Sequence, residues 1–125
     1  MIYDYSGFLQ PINDTAHQTG LSTSVFKGGS TVPAKFQLMK ADGTVVQANA
    51  LPLWPNPVKG SAMTAPVDET VYLDSATTGS TYRWDSTAQQ YIYNWNTKGS
   101  TTGYYYRVGV TVDDGQMYYV NIGLR

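Results

Sequence analysis

An all-β fold, a two-sheet antiparallel sandwich of about seven to nine short strands, is predicted by three features of the sequence. Tyr, Thr, Val, Ser and Gly are plentiful while Glu, Ala, Leu and Arg are scarce, the reverse of a helical recipe. Turn signals recur at short intervals: Lys27-Gly28-Gly29-Ser30, Asp42-Gly43, Thr78-Gly79-Ser80, Lys98-Gly99-Ser100 and Asp114-Gly115. Between them the chain alternates with period two, the pattern of half-buried strands. At 125 residues the chain has room for one domain, residues 1–125, and no second core.

In chain order, Ile2 to Leu9 fits an edge strand and Asn13 to Gly20 a polar connection. In the run from Val32 to Leu38, Val32, Ala34, Phe36 and Leu38 share a face opposite Lys35 and Gln37. A three-residue loop at Ala41-Asp42-Gly43 sets Leu38 against Val46 and Phe36 against Ala48. Pro52, Pro55, Pro57 and Pro66 remove too many donors for an inner strand, so Leu51 to Pro66 reads as a long loop or an irregular edge crossing between the sheets. Tyr82, Trp84, Tyr91, Tyr93 and Trp95 alternate as core residues, with Ile92, Asn94 and Asn96 on the other face.

The last hairpin can be registered from its loop. A two-residue loop at Asp114-Gly115 would set Val108 against Asn121 and mix apolar with polar faces. A three-residue loop, Asp113-Asp114-Gly115 with Gly115 left-handed, instead pairs Val110 with Tyr118, Val108 with Val120 and Tyr106 with Ile122. The outer face then carries Tyr105 opposite Gly123, Arg107 opposite Asn121 and Tyr119 opposite Gly109.

Composition narrows the function classes. Eight basic against nine acidic residues leave a net charge of -1, without the positive surplus that phosphate contacts demand, so no nucleic-acid partner is expected. One His, one Glu and no Cys leave few nucleophiles, general bases or metal ligands. No Gly-x-Ser-x-Gly elbow, Walker loop or His-rich metal pattern occurs, and neither enzymatic activity nor a cofactor is expected. No run approaches the roughly 18 to 20 apolar residues that span a bilayer. No charged region followed by an apolar one opens the chain, so neither membrane insertion nor a signal peptide is expected.

The stretch Phe26-Lys27-Gly28-Gly29-Ser30-Thr31-Val32-Pro33-Ala34-Lys35-Phe36-Gln37-Leu38 resembles the signature of the PxKF domain family, named for its Pro-x-Lys-Phe core. The run from Tyr3 to Pro11 is similar to that family's opening, Tyr91 to Thr97 to its aromatic strand, and Val112-Asp113-Asp114-Gly115 to its final hairpin. The resemblance covers nearly the whole chain. It implies an immunoglobulin-like module, part of a longer multidomain chain, extracellular or at the bacterial cell surface, beside peptidase, adhesin or glycan-active domains. Many relatives carry a cysteine pair, in the region of Ser61 to Pro66 and near Gly103; this sequence has no cysteine, so no such bridge forms.

Each candidate site residue has a plain alternative. His17, in a polar loop, reads as a solvated surface residue, and the Asp68-Glu69 carboxylate pair as strand decoration. Asp113, Asp114 and Asp85 have the chemistry of calcium ligands, yet turn formation already explains the first two. Lys35 and Asn121 are the pair to weigh for the Lys–Asn crosslink found in some surface modules, but both sit at polar phases of their strands. Asn13-Asp14-Thr15 matches a glycosylation acceptor, a match of little weight in a bacterial setting. Tyr105, Arg107 and Tyr119, with Trp54 as a further contact, form a possible sugar-stacking platform. Equally, a Tyr laid over a cross-strand Gly covers exposed backbone.

The sequence therefore predicts a non-catalytic spacer or accessory module whose partners are the neighbouring domains of its parent chain. The alternatives are a carbohydrate-binding module directed at extracellular polysaccharide, and a subunit that self-associates through strand edges.

Overall fold

The computed structural model describes residues 3–15, 17–20, 22–63, 72 and 74–125. Its ten strands are β1 (Asp4–Tyr5), β2 (Val25–Phe26), β3 (Thr31–Phe36), β4 (Leu38–Met39), β5 (Val45–Val46), β6 (Val58–Ala62), β7 (Arg83–Asp85), β8 (Gln90–Asn96), β9 (Tyr104–Thr111) and β10 (Met117–Leu124). They form a four-stranded sheet in the order β2-β10-β9-β6, a three-stranded sheet β3-β8-β7 and a small sheet β1-β4-β5. Four strands are only two residues long, which is why ten elements stand where the turn spacing suggests seven to nine.

The four-stranded and three-stranded sheets face each other across an aromatic core. Tyr106, Val108, Val110, Val120, Ile122 and Leu124 supply one wall, and Val32, Ala34, Phe36, Tyr91, Tyr93 and Trp95 the other, all buried. Phe36 lies edge-on to Tyr82 and stacks on Tyr91, with centroids 4.9 and 5.3 Å away, while Trp95 reaches Tyr106 at 5.6 Å. The alternation read from the sequence thus separates inward from outward residues on β3, β8, β9 and β10. Ile92 and Asn94 are buried as well, and residues 75–77 bond to β8 at Asn94: Asn94 Nδ2 donates to Ser75 O, and Asn94 N to Thr77 Oγ1.

Both Asp-Gly loops close with glycine at positive φ, Gly43 at 87° and Gly115 at 88°. The β9–β10 ladder runs Val110↔Tyr118, Val108↔Val120 and Tyr106↔Ile122, as a three-residue loop requires. In the earlier hairpin Leu38 pairs with Val46, but Phe36 does not pair with Ala48. At Gln37 the chain changes sheets: Phe36 pairs with Tyr91 of β8, and the Tyr91 hydroxyl takes the Ala48 amide at 2.8 Å.

The proline-rich segment is both crossing and edge. Leu53 bridges Thr81 on one side and Thr111 on the other, Trp54 N donates to Ser80 O, and Tyr82 N to Pro52 O. After Pro57 the chain straightens into β6, which pairs with Arg107, Tyr106 and Tyr104 through a bulge between Lys59 and Ala62. A bulge and a lysine on an exposed edge are both devices that discourage pairing with another chain.

Thr111 exchanges backbone bonds with Leu53, so Gly109, two residues earlier, directs its amide and carbonyl to the same side of β9. Among the described residues no ladder partner meets it there, because the chain between Leu53 and Val58 leaves β9 at Pro55-Asn56-Pro57. The Tyr82 hydroxyl fills the gap, donating to Gly109 O at 2.8 Å in the fully buried core. Replacing Tyr82 by Phe strands that carbonyl and is expected to lower the unfolding free energy by about 1–3 kcal/mol in urea denaturation, with the fold retained.

Burial holds the Tyr82 phenol well above its ordinary pKa, and burial together with the nearby Asp14 carboxylate does the same to Tyr5. A phenol whose pKa is raised by folding keeps its proton more tightly in the fold than in the unfolded chain. Its stabilisation is therefore whole below about pH 10 and is lost as pH rises through the unfolded value towards the folded one. An alkaline titration is expected to show exposed tyrosines ionising first, then a cooperative phenolate step coincident with loss of far-ultraviolet circular dichroism. Gradual ionisation of every tyrosine with circular dichroism intact would contradict the burial.

Candidate functional site

The outer face of the four-stranded sheet is built from the odd-numbered residues of β9 and β10. Tyr105 pairs with Gly123, Arg107 with Asn121, and Gly109 with Tyr119. Arg107 is exposed and Tyr119 retains 38% of its surface, so both are accessible, while Tyr105 is half-buried.

Glycine sets where the rings lie. A Cβ on Gly109 would stand 2.6 Å from Tyr119 Cδ1 and 3.2 Å from Tyr118 O, so the Tyr119 ring rests directly on the Gly109 backbone. The covering role read from the sequence is therefore present, and it still leaves the ring open to solvent. Over Gly123 the cover is different: a Cβ there would meet Met63 Cε at 2.9 Å and Val25 Cγ2 at 3.1 Å. The Arg107 guanidinium lies 5.3 Å from the Tyr119 ring centre, within cation–π range.

Two shallow clefts meet on this face. One, of about 400 Å³, runs from Val58 and Ser61 on β6 to Tyr105, Arg107 and Asn121. The other, of about 300 Å³, is lined by Thr15, Tyr119, Asn121 and again Arg107. Because both include Arg107 and Asn121, they form one surface trough with a tyrosine towards each end.

Trp54 does not belong to it, which corrects the expectation that it adds a fourth contact. It is only 4% exposed and stacks on Tyr93 with centroids 4.1 Å apart and planes 7° from parallel. The prolines that bar the segment from an inner ladder let it cross between the sheets, and the crossing turns the indole inwards.

His17 is exposed, as its polar loop suggests, and it is also tied to a buried carboxylate. Its Nδ1 lies 3.0 Å from Asp14 Oδ1, and its ring meets Tyr5 and Tyr118 edge-on at 5.0 and 5.9 Å. Asp14 is fully buried and accepts the Phe8 amide at 2.9 Å. Gly7, at φ 107°, passes so close that a Cβ would stand 2.9 Å from His17 Cβ. This Asp–His pair fastens the N-terminal segment against Tyr5 and Tyr118, which stack at 3.9 Å. The i, i+3 spacing of Asp14 and His17 was the available signal; the fold-back of residues 5–8 onto them has none.

The other polar candidates are engaged locally. Asp113 accepts the Ala50 amide, Asp114 those of Gln116 and Tyr3, and Asp85 those of Thr87 and Ala88. Lys35 lies on β3 and Asn121 on β10, in different sheets. The Asn13 amide donates to Ser22 O and accepts from Gln10 Nε2. The Asp68-Glu69 pair lies outside the described residues.

Gly109→Ala is expected to push the Tyr119 ring off the sheet and cost about 1–3 kcal/mol of stability in urea denaturation. Combined with Tyr119→Ala, the loss is expected to fall short of the sum of the single changes by about 0.5 kcal/mol or more, since the clash disappears with the ring. Strict additivity would show that the ring does not rest on Gly109. No family model, curated protein or solved structure matches this chain.

Proposed function

We infer that the protein is a non-catalytic spacer module of a secreted or cell-surface bacterial protein. The observation that carries this reading is the position of its two ends. The Tyr3 amide donates to Asp114 at the tip of the β9–β10 hairpin, while Arg125 follows the far end of β10. Eight residues of antiparallel strand separate those poles by about 24 Å. Neighbours joined at the two ends would be held apart by the length of the sandwich. The immunoglobulin-like character and the surface location rest on the resemblance to the PxKF family.

The route of the backbone suits a load-bearing link. β2 runs parallel to β10, with Gly123 N donating to Ser24 O, Arg125 N to Phe26 O and Gly28 N to Arg125 O. Tension applied at Tyr3 and Arg125 draws these strands in opposite directions, so the bonds between them are loaded together in shear. At the Tyr3 pole, Leu51 and Leu53 are each about half exposed and frame an apolar cleft of about 170 Å³ beside Asp113, a surface suited to an adjoining module.

Single-molecule pulling tests the reading. Attachment through the two chain ends is expected to give one high-force rupture. Attachment through Lys98→Cys and Arg125→Cys, both at the other pole, is expected to peel β10 away bond by bond at clearly lower force. Equal forces in the two geometries, or a weaker link through the ends, would overturn the load-bearing role.

A second reading, carbohydrate binding, is favoured by the trough on the outer sheet face. There an accessible ring, a guanidinium and an amide lie side by side, the chemistry that stacks on a sugar face and bonds its hydroxyls.

A further inference from the structure

We propose that the trough on the outer face of the four-stranded sheet binds an acidic polysaccharide, a chain of uronic acid residues, with Arg107 taking a sugar carboxylate. The proposal rests on the carbohydrate reading and specifies its ligand. Its ground is the charge of the trough. The charged residues lining it, Lys59 and Arg107, are both cations, and no Asp or Glu among the described residues lines either cleft. Arg107 is thus a cation on the outer face that no carboxylate among the cleft-lining residues opposes.

The two cations are not equivalent. Residues paired across a ladder share a face, so Val58 projects with Arg107 and Lys59 with the core residue Tyr106. Lys59 accordingly lies over the Tyr104 ring, its Nζ 4.5 Å from the centre, on the side of the sheet away from Arg107. Arg107 stands in the middle, opposite Asn121, and forms no ion pair with any Asp or Glu among the described residues. The Tyr119 ring holds the guanidinium against the sheet face, and Tyr119 is itself held by Gly109. A planar fork restrained in this way suits the two oxygens of a carboxylate better than a mobile ammonium would.

The length of the trough points to a chain and not a single sugar. Tyr105 pairs with Gly123 and Tyr119 with Gly109, so the two tyrosines are four residues apart along the strands, about 14 Å. Arg107 falls midway between them. Several sugar rings laid along this line would meet a ring near each end, with Asn121 and Ser61 offering polar atoms to hydroxyls between.

Affinity gel electrophoresis at low salt tests this with polygalacturonate, neutral galactan and dextran sulfate as probes. Polygalacturonate is expected to retard the protein and galactan not to. Arg107→Gln, with an unchanged melting temperature, is expected to weaken the association by about tenfold or more. Lys98→Gln, which lines neither cleft, is expected to leave it unaltered. Retardation by galactan alone, lost in Tyr105→Ala, would overturn the acidic ligand while the carbohydrate reading stands. No retardation by any probe would remove both. Equal retardation by dextran sulfate, or equal weakening by Arg107→Gln and Lys98→Gln, would reduce the effect to unspecific charge attraction and overturn the proposal.

Discussion

The hydroxyl of Tyr82 bonded to the carbonyl of Gly109 is the contact that reconciles the proline-rich crossing with a closed core. It joins the approach to β7, in one sheet, to β9 in the other, and lies wholly within the core. Its origin is a conflict between prolines and pairing. The chain from Pro52 to Pro57 has too few donors to continue a ladder, so it touches β9 at Leu53, bows out, and returns as β6. The carbonyl exposed by that bow cannot stay unpaired in an apolar interior. A phenol resolves the conflict, and its ring also fills the space between Phe36, Trp54 and Tyr93.

Gly109 serves two surfaces at once. Its carbonyl answers to Tyr82 inside, and its missing side chain lets Tyr119 lie flat on the sheet outside. Tyr119 in turn sits beneath Arg107. The position of the guanidinium therefore follows from the smallest residue on the strand, and a cover for bare backbone doubles as a support for a charged group. Covering and binding are two consequences of one geometry.

The N-terminal segment is held differently. Asp14, fully buried, gathers the Phe8 amide and the His17 ring, and the aromatic stack of Tyr5 on Tyr118 closes over them. This carries the chain from the Tyr3 pole along the sandwich to β2, whose parallel pairing with β10 lies beside the opposite end. Polar fastening at one place and backbone pairing at another give the two ends their separation.

Local chemistry, which neighbouring residues carry with them, decided much of this protein from sequence alone. Period-two alternation separated the core faces of β3, β8, β9 and β10, because successive side chains on a strand must point to opposite sides. The length of the Asp113-Asp114-Gly115 loop set the last hairpin's register, and with it the line of Tyr105, Arg107, Tyr119 and Asn121. Tertiary structure decided what depends on residues far apart in the chain. Trp54 turned into the core because the crossing segment is stitched to residues 80–82 and Thr111 together. His17 found a buried carboxylate because residues 5–8 fold back over it, and the trough exists because β6 arrives beside β9 after its bow. Each of these is a meeting between segments, and no periodicity within either segment encodes the partner it will meet.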